Sequence, residues 1–75
     1  MVIKVEYHIN RKYFMKNKKA FQKILLPEAF EISFMKFEKG MSYVEIATNF
    51  GYSALKIRKI LSVSCLVIRR SGFKI

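Results

Sequence analysis

The sequence predicts a single, mainly α-helical domain: a three-helix unit at residues 27–62, led by a short N-terminal β-strand and followed by an extended C-terminal arm or wing. Three observations predict it. A chain of 75 residues can enclose only one modest core. Apolar residues make up 52% of it, including 7 Phe and 4 Tyr, which favours a folded globule over disorder. From Phe21 onward those apolar residues recur at helical spacing, with Pro and Gly placed at the boundaries.

Val2 to Ile9 alternates, with Ile3, Val5, Tyr7 and Ile9 on one side and Lys4, Glu6 and His8 on the other. That is the period of a half-buried strand. Its partner would be Tyr13–Met15 or the run Leu66–Ile68. His8 reads as a solvated residue. Residues 10–19 are dense in Lys, Arg and Asn. Phe21, Ile24 and Leu25 then suggest a short helix that ends before Pro27. Residues 1–26 are thus read as a basic N-terminal extension.

Pro27 suits the first turn of a helix, where its missing N–H is no loss, and Glu28 and Glu31 favour the same end. Phe30, Phe34 and Phe37 stand at i, i+4 and i+7 with Ile32 and Met35 beside them, a core stripe closed off at Gly40. Ser42 and Glu45 have the spacing of a capping box. Ile46, Ala47 and Phe50 form the inner face of the helix it starts, and Gly51 stops that helix. Ser53 caps the next, with Ile57 and Ile60 inward and Lys56, Arg58 and Lys59 outward, running to Ser62.

Two short helices that cross steeply need a small side chain at the crossing and a residue tolerant of positive φ in the turn. Ala47 and Gly51, four residues apart, meet both needs, and Ile46, Phe50, Tyr52, Ile57 and Ile60 flank them. These are the spacings of a helix-turn-helix.

Charge is segregated as well as large. The net charge is +10, from 15 basic and 5 acidic residues. Residues 1–26 hold seven bases and one acid, residues 27–51 two bases and four acids, and residues 52–75 six bases and no acid. Such an excess attracts polyanions, either nucleic acid or an anionic membrane surface.

The run GMSYVEIATNFGYSALKIRKIL resembles the helix-turn-helix of resolvase, invertase and transposase DNA-binding domains. There a Gly-Met/Leu-Ser lead precedes a Glu-Ile-Ala helix, a Gly turn and a Ser-capped recognition helix. The resemblance covers residues 28–62 and none of residues 1–26. It implies that the second helix lies in the major groove, with Ser53, Ala54, Leu55, Lys56, Arg58 and Lys59 near the DNA. Arg58 would read guanine in bidentate fashion, and Ala54 or Leu55 would meet a thymine methyl. The basic residues 63–75 would follow as an arm, with Arg69 and Arg70 in a minor groove. Two departures stand against that arm: Cys65 replaces a common Gly, and no Pro follows Arg69. The other reading makes Cys65–Ile68 a strand against Ile3–Ile9.

The second basic cluster includes Lys18 and Lys19, with Lys12, Lys16 and Lys23. It could grip phosphates, form a disordered arm or meet a partner protein. Enzymatic activity is not expected: there is no Asp, the five Glu are scattered, and the lone His and Cys lie far apart. No cofactor, metal or small-molecule substrate is expected either. Cys65 reads as a small apolar residue.

No run approaches 18 apolar residues and no signal peptide is evident, so a cytoplasmic location is expected, nucleoid-associated in a bacterium or virus. The expected function is sequence-specific binding of double-stranded DNA in transcriptional control, alone or as a homodimer. The rival is a small basic protein that modulates transcription by contact with RNA polymerase or another protein of the transcription machinery. RNA binding comes third and a membrane-surface role fourth, because the aromatics sit at core spacings and residues 11–23 have a ragged apolar face.

Overall fold

The computed structural model describes residues 9–74, which form five α-helices and, among the described residues, no strand. In order these are α1 (Arg11–Lys16), α2 (Lys18–Ile24), α3 (Pro27–Ser33), α4 (Tyr43–Phe50) and α5 (Ala54–Arg70), with a π-helical turn at Phe34–Glu38 continuing α3. The strand expected at Val2–Ile9 lies outside the described residues except for Ile9, which is buried and not in a strand.

The lysine-rich segment after Asn10 is helical and belongs to the globule. Asn10 starts α1 by accepting the Tyr13 backbone N–H at 2.8 Å. Ile9 before the cap and Phe14 four residues into the helix are both buried, the arrangement of a hydrophobic staple. Asn17 closes α1 through its side-chain amide, which donates to the Tyr13 carbonyl at 3.0 Å, and α2 follows at once. The chain is then extended at Leu25 and Leu26, as the residue before Pro27 must be, and Pro27 opens α3.

Phe14 is the centre of the core. It is fully buried, and the rings of Phe21, Phe30, Phe34 and Phe37 lie 5.7, 5.9, 6.5 and 6.1 Å from its own. The wider winding at Phe34–Glu38, where the Lys39 N–H reaches back five residues to the Phe34 carbonyl, lets all three α3-side rings converge on it. Gly40 then takes φ +67, and the Met41 N–H bonds to the Met35 carbonyl. Only a residue free of Cβ strain turns cheaply there.

Helix α5 differs most from the sequence-based expectation. It does not stop at Ser62, and the described residues 63–74 do not form an extended arm or a β-wing. The helix runs unbroken to Arg70 for 17 residues. Its inner face continues through Ile57, Leu61, Ser64, Cys65 and Ile68, a helical period that crosses the run Ser62-Val63-Ser64. Serine favours turns when its hydroxyl competes for backbone groups. Here Ser62 and Ser64 donate to the Arg58 and Ile60 carbonyls, four residues back and within the helix. Arg69 and Arg70 suit the negative C-terminal end, and the turn at Ser71 and Gly72 brings Phe73 edge-on to Phe21 at 5.0 Å. Helix α5 therefore spans the molecule and packs on α2, α3 and α4.

Candidate nucleic-acid interface

The joint between α4 and α5 is built as its residues dictate. Ser42 accepts the Glu45 backbone N–H at 3.2 Å. The return half of the capping box differs from expectation, because the Ser42 hydroxyl donates to the Glu45 carboxylate at 3.1 Å. Ile46 and Ala47 are buried against the rest of the core. Gly51 ends α4 at φ +68, and the Tyr52 N–H bonds back to the Ala47 carbonyl at 3.0 Å, which satisfies an end-of-helix carbonyl. Tyr52 stacks on Phe50 with centroids 5.8 Å apart. Its hydroxyl donates to the Glu28 carboxylate of α3, a bond that raises the tyrosine pKa. This ties the turn to α3, the first helix of the three-helix unit.

Ser53 then caps α5, accepting the Lys56 N–H at 3.1 Å. Beyond it the first turns of α5 stand clear. Ser53, Leu55, Lys56, Arg58 and Lys59 are exposed, and Ala54 is half-buried. Leu55 is 60% exposed, one of several apolar side chains that the small core leaves outside. Leu55 and Lys59, four apart, share the outward line of the helix. Lys56 folds over Tyr52, with Nζ 3.8 Å from the ring centroid, and Arg58 leans over Tyr43 of α4, with Cζ at 5.8 Å. From Ile46 to the end of the chain there is no acidic residue, so nothing on α5 offsets its five cations.

The remaining expected contacts are placed elsewhere. Arg69 and Arg70 are exposed, but sixteen residues of helix put Arg70 about 24 Å from Ala54. They lie at the end of α5 that packs near α2, on a rigid helix and not on an extended arm able to follow a minor groove. Lys18 is engaged within the fold: its Nζ is 3.3 Å from the Glu38 carboxylate and 4.5 Å from the Phe34 centroid. Lys19 is exposed. Phe14 and Phe21, which the sequence interleaves with these lysines, are wholly core.

One residue that the sequence pattern does not single out joins the cluster. Lys36, on the π-helical turn, places its Nζ 4.4 Å from the Tyr43 centroid. It sits in the stretch with four acids, so bulk charge conceals it, and no sequence spacing links it to Arg58. Tyr43 does.

On the other flank of α5 lies an open apolar groove of about 340 Å³. Leu26, Ala29, Ile60, Val63 and Val67 line it, with Glu28 and Lys59 as its charged members. Cys65 lies inside the core, where burial pushes its thiol pKa up to about 12 against the lowering effect of Arg69. Among the described residues no group of His, Cys, Asp and Glu could hold a metal ion, and no helix is long and apolar enough to cross a membrane. Comparison of the chain with protein-family models, with curated proteins and with solved structures gives no significant match.

Proposed function

We propose that the protein binds double-stranded DNA in a sequence-dependent way, as a small transcriptional regulator, with the first turns of α5 in the major groove. The observation that carries this reading is the exposed N-terminal half of α5, held against α4 through the left-handed Gly51 joint. An exposed helix end rich in cations, fixed by a rigid partner helix, is what base-edge reading requires. Leu55 and Lys59 face outward, one suited to a thymine methyl and the other to guanine acceptors. Lys56, Ser53 and Ala54 border them.

Fluorescence anisotropy on a pool of duplexes, across a salt series, tests the reading. Binding to some sequences should persist at about 150 mM salt. Leu55→Ala/Lys59→Ala should then erase the preference among sequences, at a cost of about 1–3 kcal/mol for each base edge no longer read on the preferred site. Weak binding of equal strength on every duplex, lost with salt and indifferent to the double substitution, would reduce the charge to a general polyanion tether.

The groove beside α5 favours a second reading, contact with a protein of the transcription machinery. Its apolar floor and the chain's +10 charge suit an amphipathic helix with acidic flanks. Val63→Gln should abolish such a contact and leave DNA affinity intact; loss of both together would count against it.

A further inference from the structure

Lys36, Tyr43 and Arg58 come from three different elements, yet both cations lie over one ring, at 4.4 and 5.8 Å from its centroid. Two like charges on the same small ring repel each other. The negative face of the ring offsets part of that repulsion, at an exposed site only a small part. Neither cation has a carboxylate partner among the described residues. Glu45, the acid in the first turn of α4, is turned onto the Ser42 hydroxyl. The pair is therefore a positive site with no carboxylate complement among the described residues, at the N-terminal start of α4, where Ser42 and Tyr43 lie.

We infer that Lys36 and Arg58, held over Tyr43, form a phosphate-binding site that grips the DNA backbone beside the groove entered by α5. The inference rests on the DNA-binding reading above and changes one role within it. A guanidinium that read guanine would extend outward along the line of Leu55 and Lys59. Arg58 instead leans back over Tyr43 of α4, the ring that also carries Lys36. A phosphodiester offers that pair the oxygens that no described carboxylate supplies. Backbone contacts of this kind set register and orientation and carry no sequence information. Arg58 then positions α5, and reading falls to its neighbours.

The experiment is a salt-dependent anisotropy titration of the full chain on a preferred and an unrelated duplex, with far-UV circular dichroism to confirm folding. Lys36→Gln/Arg58→Gln should weaken binding by the same factor on both duplexes. It should also lower the slope of log K against log salt by about 1 for each phosphate released from the protein. Tyr43→Leu should forfeit part of the same slope, and Tyr43→Phe, which keeps the ring face, should restore it. A weakening confined to the preferred duplex would make Arg58 a base reader and overturn the inference. An unchanged slope would overturn it while leaving DNA binding in place. Absence of duplex binding by the unaltered protein would remove both this inference and the reading beneath it.

Discussion

Replacing Phe14 with alanine should remove most of the protein's margin of stability. The ring is fully buried, with four other phenylalanine rings between 5.7 and 6.5 Å away, and it lies in a segment whose lysines make it look like a surface arm. Phe→Ala in a packed core costs about 3–5 kcal/mol, combining the forfeited transfer energy with the cavity left behind. A domain of this length has a total stability of roughly 4–11 kcal/mol, at about 0.05–0.15 kcal/mol per residue. Phe14→Leu keeps most of the volume and should cost only about 1–2 kcal/mol, largely the specific ring pairings. The assay is urea unfolding followed by far-UV circular dichroism. With a slope of about 1 kcal/mol per molar urea for so small a protein, Phe14→Ala should lower the midpoint by about 3 M or more. Met15→Ala, one residue on and 53% exposed, should stay within about 0.5 kcal/mol of the parent. A midpoint shift under about 1 M for Phe14→Ala, with DNA affinity unchanged, would refute the reasoning. It would make α1 and α2 an appended arm, not half of the core.

Two further expectations follow from local geometry. Gly51→Ala meets no atom within 4 Å of the added Cβ, so its whole cost is the left-handed backbone at φ +68, about 1–2 kcal/mol. A Tm drop of about 4–8 °C per kcal/mol would report it in a thermal melt, and an unchanged Tm would mean that the turn is not left-handed. Cys65 should resist thiol reagents in the native state at neutral pH, because it is buried and its pKa is raised from 9.0 to about 12. Since the folded value lies above the unfolded one, its contribution is complete below pH 9.0 and lost as pH climbs toward about 12. Tyr52 shifts in the same direction through Glu28, so the pH dependence should be compared between the parent, Cys65→Ser and Tyr52→Phe. Equal alkaline destabilisation in the parent and Cys65→Ser would exclude the thiol as its source.

Local chemistry is legible wherever a residue type has one strong backbone preference. Pro27, Gly40, Ser42, Gly51 and Ser53 each mark a helix boundary, and the structure has a boundary at every one. The helical periods around Phe21 and Phe30–Phe37 are equally plain. The end of α5 is not, because serine takes either role. Whether Ser62 and Ser64 break the chain or bond back to carbonyls depends on the apolar face that continues through Leu61, Cys65 and Ile68. Burial of that face outweighs the weak local preference.

By itself, then, the sequence determined the charge segregation, the helix boundaries and the short turn between α4 and α5. These depend on side chains close in the chain, through caps, φ preferences and periodicity. Only the tertiary structure decided that the lysine-rich segment carries the centre of the core in Phe14. It alone withdrew Lys18 into an ion pair with Glu38, set Arg69 and Arg70 at the far end of a rigid helix, and brought Lys36 and Arg58 to one ring, that of Tyr43. Each of those is a relation between residues distant in sequence, whose energy comes from excluding water between surfaces that no local pattern reveals.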